Sequence, residues 1–401
     1  MRPLHVLLLN QYFPPDTAAT AQNAGLVAKA LAERHYVTVL AGRPSYDPLE
    51  RHPAYLFRRE QKDNLTIERV GSTAFSRLRM KGRLANYLSY LGLAAPRALA
   101  MNPDVVLAMT DPPIEGIFGA SIARFLGRPL VYNIRDLYPD MALAAGILRP
   151  GFWSDAWEAS HRRALRQAAR VIVLGEDMRE RIIEKGVDAA RITVIRDAVS
   201  FPEHLPPVDQ PIVREVRSGF RFVIVHAGNL GFYGSWQTLI RAAQMLESEG
   251  VGLVFVGEGA MKQQIEESAR HHQNIRFLPF RPASEIPAVM AAGDLHVITI
   301  KRGLEGVVVP SKLYNLLSYG RPILAVATER AEVTRLVQCY DCGIAVDPDD
   351  ATQVAQGVRR LLHVPERLEH MSDQARKLAR TYDRFSELRK FVDAIEEAVE
   401  R

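Results

Sequence analysis

The chain has 401 residues, 47% of them hydrophobic and 24% charged, which exceeds what one hydrophobic core serves, fits two or three domains and excludes global disorder. The net charge of +5 favours anionic partners, whether phosphorylated substrates, acidic lipid surfaces or nucleic acid, without choosing among them. The two cysteines, Cys339 and Cys342, exclude a disulfide framework.

In chain order, residues 1–10 read as a buried first strand, too short in their apolar run for a signal peptide. Further apolar runs at 37–40, 105–109, 130–133 and 171–174 alternate with stretches of helical period, and a second series follows at 222–226, 253–256, 275–280, 295–300 and 323–326. Runs without polar alternation suit parallel strands covered on both faces, so the class is α/β, doubly wound. The proline-rich, charged stretch 197–213 reads as the linker between two halves of similar grammar. The final segment 372–401 reads as helix, with Phe385, Leu388, Phe391, Val392, Ile395 and Val399 on one face to bury. No apolar run reaches the roughly 18 residues of a membrane span, so the expected location is cytoplasmic. Cys339 and Cys342 form one C-x-x-C without a second pair, which reads as small buried thiols.

In open doubly wound sheets ligands bind beyond the carboxyl ends of the strands. The loop after the first strand carries Asp16, Thr17 and Thr20, which suit either hydroxyl recognition or a helix cap. There is no G-x-G-x-x-G, which argues against a dinucleotide oxidoreductase. Arg135 and Asp136 end another strand, a guanidinium beside a carboxylate, which suits hydrogen bonding or proton work more than a structural ion pair. Gly228, Asn229 and Gly231 open the second half, with Gly234 following, and such a loop exposes N–H groups to phosphate. Gly257, Glu258 and Gly259 follow a strand in the same way, as a plain turn or a ligand contact. The densest segment is 301–312: Lys301, Arg302 and Lys312 surround one helix start, Pro310 precedes it, Ser311 is its expected cap, and Gly320 with Pro322 ends it. A cation in the first turn opposes the helix dipole, which marks Lys312 as functional. Last, Arg77, Arg79, Lys81 and Arg83 lead into the aromatic, apolar stretch 87–93, which suits either docking on an anionic membrane or a core helix.

These motifs resemble the family-4 glycosyltransferases of the GT-B fold. The order is theirs: the Gly-Asn-x-Gly loop, Val-Gly-Glu-Gly, Phe-Leu-Pro-Phe-Arg, Ala-Gly-Asp-Leu, then Pro-Ser-Lys before a helix ending Tyr-Gly-Arg-Pro. Pro-Ser-Lys together with Arg-Asp-Leu-Tyr-Pro is similar to the subgroup that builds O-antigen, capsule and colanic-acid type polysaccharides. The resemblance implies two Rossmann-like domains facing across a cleft, residues 1–198 on the acceptor side and 199–382 on the nucleotide-sugar side, with the helix 383–401 packing back on the first. It implies retaining transfer, without metal or cofactor, from a nucleoside-diphosphate sugar to a saccharide or polyprenyl-linked acceptor; the residues themselves add an expected peripheral membrane contact through 77–93 and, with no basic residues interleaved with aromatics on a recognisable module, no nucleic acid. On it, Asp136, Lys312 and Glu305 are the expected catalytic residues. Gly228, Asn229, Gly231, Gly257, Glu258, Arg281, Arg302, Pro310, Ser311 and Asn315 are expected on the donor, and Asp16, Thr17 and Arg135 on the acceptor. Of the family's two glutamates eight positions apart, the second aligns with Asn315 and the first with Val307, near Glu305. Asn229 and Tyr233 stand where the family has Arg and Lys. A sugar-nucleotide epimerase on the same fold, or a non-catalytic nucleotide or lipid-surface binding protein, are the other readings.

Overall fold

The computed structural model describes residues 2–45, 53–75, 80–197, 210–282 and 284–400. Packing divides the chain into two units, Met1–Arg196 with Phe385–Arg401, and Asp197–Arg384.

The first unit runs β1 (His5–Leu9), α1 (Ala19–Ala32), β2 (Tyr36–Gly42), β3 (Phe57–Lys62), β4 (Leu65–Val70), α2 (Met80–Leu99), β5 (Val105–Ala108), α3 (Glu115–Leu126), β6 (Leu130–Asn133), α4 (Asp140–Ala144), α5 (Phe152–Gln167), β7 (Arg170–Val173), α6 (Glu176–Glu184) and β8 (Ile192–Val194). Its eight strands are ordered β3-β4-β2-β1-β5-β6-β7-β8. All neighbours are parallel except β3–β4, an antiparallel edge pair. Val6 pairs with Val37 on one side and Val105 on the other. The strands expected from the apolar runs are all present. Four strands were not expected: β3 is mostly charged, β4 alternates, and β8 and the second unit's last strand are short.

The second unit runs α7 (Pro211–Arg217), β9 (Phe222–Ala227), α8 (Trp236–Met245), β10 (Val251–Val256), α9 (Lys262–Ala269), β11 (Ile275–Leu278), α10 (Ile286–Ala292), β12 (Leu295–Thr299), α11 (Lys312–Ser318), β13 (Ile323–Val326), α12 (Glu332–Tyr340), β14 (Gly343–Val346), α13 (Ala351–Leu362) and α14 (Pro365–Thr381). Six parallel strands lie in the order β11-β10-β9-β12-β13-β14. The expected linker 197–213 is corrected at its end, because α7 begins inside it; residues 198–209 lie outside the described ones. Pro211 fits a first helical turn, where its missing N–H is not needed. Ile212, Val213 and Val216 then pack on Val223 and Val225 of β9.

The last segment is two helices, α14 and α15 (Arg384–Val399). Phe391, Val392, Ala394, Ile395 and Ala398 of α15 close the first unit's core over Leu4, Val6, Leu8, Val27 and Leu31. Phe385, expected on the buried face, is exposed in the first turn of α15. Cys342 is buried, and burial pushes its thiol up to about 12, whereas Cys339 is exposed, contrary to the expected buried pair.

Candidate active site

In the second sheet, chain order reverses between β9 and β12, so the loops after these strands flank a crevice at the topological switch point. Two hydrogen bonds donated by main-chain N–H groups tie the loops together. Lys301 N–H donates to the Tyr233 carbonyl at 2.7 Å, and Ser235 N–H donates to Thr299 Oγ1 at 2.9 Å. The Trp236 indole donates to the Gly231 carbonyl at 2.8 Å, and the Tyr233 hydroxyl to the Asn229 carbonyl at 2.7 Å.

The glycines of the two neighbouring loops are needed for their mutual packing. A Cβ on Gly257, which has φ of 143°, would lie 2.2 Å from the Gly228 carbonyl oxygen, and one on Gly259 would lie 2.4 Å from that of Leu230. Side chains there would push the loops apart. Leu230 N–H donates to the Glu258 carbonyl at 2.9 Å, which locks the arrangement.

Lys312, the first residue of α11, is half-buried, and its Nζ lies 3.0 Å from His226 Nδ1 at the end of β9. Burial lowers the Lys312 ammonium to about 7. His226 is 0% exposed, set edge-on against Trp236 at 4.9 Å, and burial, then the Lys312 charge, holds its pKa well below the usual histidine value. Its ring is therefore neutral at pH 7. Among the described residues no carboxylate forms an ion pair with Lys312.

The other expected donor residues spread around this point. Ser311 does not cap α11: it has helical φ and ψ and its side chain accepts no capping bond. The expected cluster of three cations is corrected. Lys301 and Arg302 line a cavity of about 370 Å³ with Trp236, Thr238, Gln264 and Asp349, and Lys312 is absent from its walls. Arg302 is held by Asp347 at 2.7 Å and Asp349 at 2.9 Å. Arg281 grips Glu215 at 2.8 and 2.9 Å, and Glu258 pairs with Lys262 at 2.7 Å. Glu305 accepts from Thr328 Oγ1 at 2.6 Å beyond β13; Val307 is buried and Asn315 exposed on α11. Pro310 accepts the Leu313 N–H at 3.0 Å and so starts the helix.

In the first sheet the order reverses between β1 and β5. There Gln11 N–H donates to the Asp111 carbonyl at 2.7 Å, and Asp111 N–H to Asn10 Oδ1 at 3.2 Å. Asp16 is buried and accepts from the Ser45 N–H at 2.9 Å, which fixes the loop after β2; Thr17 is exposed. Ala18, not Thr or Asp, is the N-cap of α1. Arg135 is buried and Asp136 partly so at the end of β6. Burial raises the Tyr138 phenol, with further upward pushes from Asp136 and Asp111 and a downward one from Arg83, so these groups share one locality. Tyr138 stacks on Trp157 at 5.9 Å. His226, Arg83 and Tyr138 were not expected in the site. A histidine closing an apolar strand at its carboxyl end was the signal available for the first.

Glu115 is fully buried, and burial pushes its carboxyl well above the usual carboxylate range, with the Tyr90 hydrogen bond acting in the opposite direction. The Tyr90 hydroxyl donates to Glu115 Oε1 at 3.0 Å and also lies 3.0 Å from the Leu40 carbonyl oxygen. Around the same unit Phe75, Met80, Leu84, Leu88, Ile147, Phe152 and Trp153 are exposed, the last two at 76% and 77%. α2 buries its opposite face through Asn86, Tyr90, Ala94 and Ala98; Arg77 and Arg79 lie outside the described residues. Among the described residues no helix is long and apolar enough to cross a membrane.

Two parallel-sheet α/β units with loop-built crevices at their switch points define the class, and the chain belongs to the family-4, GT-B glycosyltransferases. Residues 19–198 match the Glycosyl transferase 4-like domain and residues 214–378 match Glycosyl transferases group 1, which together take in most of the chain. It is similar to the Escherichia coli (strain K12) protein WcaI, named as a colanic acid biosynthesis glycosyl transferase, at 25% identity over 98% of this chain and 100% of that one. It is also 26% identical to WbjE of Pseudomonas aeruginosa, named as a glycosyltransferase, over 70% of this chain and 72% of that one. In structure it resembles Alr3699/HepE of Anabaena, crystallised with UDP, with a TM-score of 0.69 at 18% identity over 99% of this chain and 100% of that one.

Proposed function

We propose that this glycosyltransferase draws its sugar from a nucleoside-diphosphate sugar bound at the β9/β12 crevice and delivers it to a lipid-linked saccharide in cell-surface polysaccharide assembly. The observation that carries this reading is Lys312. It is a half-buried cation with no carboxylate ion-pair partner among the described residues, at the start of the helix that follows the β12 loop and against His226 of β9. A desolvated ammonium without a counter-charge is costly unless an anion completes it, and a diphosphate does so. The names of WcaI and the UDP bound to HepE point the same way.

In the proposed chemistry an acceptor hydroxyl attacks the anomeric carbon while the bond to the β-phosphate breaks. The acceptor's proton passes to the departing phosphate oxygen, so products are the glycoside and the nucleoside diphosphate. Lys312 neutralises the charge that grows on the leaving group, the part a metal ion plays elsewhere. Transfer then retains configuration and needs no metal. The main-chain N–H groups of Asn229 and Gly231 face the phosphates, those of Gly228 and Leu230 being held by the Val256 and Glu258 carbonyls, and Asp136 orients the acceptor. Arg302, Arg281 and Glu258 act through the loops they hold.

A thermal-shift series without metal tests the donor site: one of UDP, GDP and dTDP raises the melting temperature, since a ligand of the folded state alone must stabilise it. No shift from any of them at millimolar concentration would reject the site.

The acceptor side of this reading includes a membrane. Phe152 and Trp153, with Leu84, Leu88 and Met80 of α2, present apolar and interfacial side chains beside Lys81 and Arg149. Vesicles containing anionic lipid are expected to sediment the protein, and Trp153→Ser with Phe152→Ser to weaken this severalfold. Equal binding by the double variant would remove these two residues from the contact.

A further inference from the structure

We propose that Trp236 is a positioning residue for the phosphate-binding loop: its indole N–H turns the Gly231 carbonyl inward and so presents the Phe232 N–H, beside that of Gly231, to the diphosphate. This rests on the reading that the β9/β12 crevice binds a nucleoside diphosphate.

Three successive carbonyls of the loop after β9 are held. That of Asn229 accepts from the Tyr233 hydroxyl at 2.7 Å, that of Leu230 from the Met261 N–H at 2.9 Å, and that of Gly231 from the Trp236 indole at 2.8 Å. The peptide bonds here are trans, so each C=O and the N–H of the next residue point in opposite directions. A held carbonyl therefore fixes the aim of the N–H that follows it. The Leu230 N–H is taken by the Glu258 carbonyl at 2.9 Å, whereas those of Gly231 and Phe232 have no acceptor among the described residues. Trp236 belongs to one apolar cluster and Met261 packs against it, so both carbonyls turn to that side and both N–H groups turn away. Adjacent N–H groups aimed the same way form a concave donor pair that suits phosphate oxygens. Phe232 is exposed, which leaves its side of the pair open to a ligand.

Packing alone does not call for an indole at the first position of α8. The ring is edge-on to His226 at 4.9 Å and 6.0 Å from Phe255, contacts that a phenylalanine ring also makes. What phenylalanine lacks is the N–H. The loop is shaped around the indole, since a Cβ on Gly234 would lie 2.3 Å from it. Its far end is fastened independently to β12 and the residues after it. Ser235 N–H donates to Thr299 Oγ1 at 2.9 Å, and Lys301 N–H to the Tyr233 carbonyl at 2.7 Å. Loss of the indole N–H thus leaves both ends of the loop in place and frees the one peptide between Gly231 and Phe232, whose N–H then has no fixed aim.

The test uses the full chain with UDP, GDP and dTDP as probes, and follows both affinity and the hydrogen exchange of segment 229–234 by mass spectrometry. In the wild type, saturation with the nucleotide that binds is expected to slow exchange in this segment. In Trp236→Phe, affinity falls by at least about tenfold, the order of one hydrogen bond to a charged group. At saturation the nucleotide is bound but 229–234 stays unprotected, a result that a packing role alone does not give. Wild-type protection or affinity in folded Trp236→Phe overturns the proposal and leaves the nucleotide site standing, as does a saturated wild type without protection at 229–234. A wild type that binds none of the three nucleotides overturns both readings. Should the Phe variant not fold or not reach saturation, the wild-type indole decides. Its N–H resonance, told from the other two tryptophans by Trp153→Phe and Trp157→Phe, is expected to exchange slowly and more slowly still with nucleotide. Fast exchange, or exchange indifferent to nucleotide, rejects the role.

Discussion

Replacing Lys312 by methionine is expected to lower turnover by at least about 100-fold, the loss typical of removing one preorganised group that stabilises transition-state charge. Methionine keeps most of the side-chain volume and removes a desolvated charge, so the melting temperature should hold or rise while the shift produced by a nucleoside diphosphate disappears. Lys312→Arg separates charge from geometry. It cannot deprotonate in the working range, so residual nucleotide binding should lose its decline above pH 7, where wild-type Lys312, at about 7, is losing its proton. Wild-type turnover in Lys312→Met would remove this side chain from the chemistry.

The second large effect is acid sensitivity. His161, His226 and His296 are buried and neutral, with pKa lowered to about 4, well below normal, and to about 3, in each case chiefly by burial. Their folded pKa lies below the unfolded value of about 6.5, so below pH 6.5 the unfolded chain binds more protons than the folded one. Their contribution is intact above pH 6.5 and is lost progressively as pH falls towards the folded values. Each costs about 1.4 kcal/mol per pH unit, so together the slope approaches about 4 kcal/mol per unit near pH 5. Urea midpoints at pH 7, 6 and 5 measure it. His296→Gln, whose amide can still donate to the Met290 carbonyl that His296 meets at 3.0 Å, should flatten the slope by one proton. A slope below one proton in the wild type would contradict the neutral, buried assignment.

How far the sequence could be read follows from what each signal measures. Buried parallel strands such as β5 and β10 carry no polar side chain at any position, so nothing polar interrupts the run. β3 carries Arg58, Arg59, Glu60 and Lys62 because it is an exposed edge, so composition hides it. α7 was hidden by its proline and charges, although Ile212, Val213 and Val216 already lay at helical spacing. In the site, Lys312 was legible as a cation at the wrong end of a helix. Arg302 was misplaced because adjacency in sequence says nothing about whether a side chain turns towards Lys312 or towards Asp347. The glycine loops were legible as close approaches, but the partner in the approach is the neighbouring loop's main chain. His226 was invisible as a partner because its meaning comes from a residue 86 positions away.

The return of α15 to the first unit has a consequence for synthesis. The apolar surface formed by Leu4, Val27 and Leu31 is covered by Phe391 and Ile395, which leave the ribosome after the whole second unit. At roughly 5–20 residues per second, that surface waits on the order of ten seconds or more while the whole second unit is made. Arg196 N–H then docks on Glu387 at 2.9 Å, and Arg34 on Glu396 at 3.2 Å, to fasten the closing piece. A nascent chain cut short anywhere beyond the first unit thus displays an uncovered sticky surface, so incomplete products carry their own mark for chaperones and proteases. Only a ribosome that has passed α15 releases a chain without it.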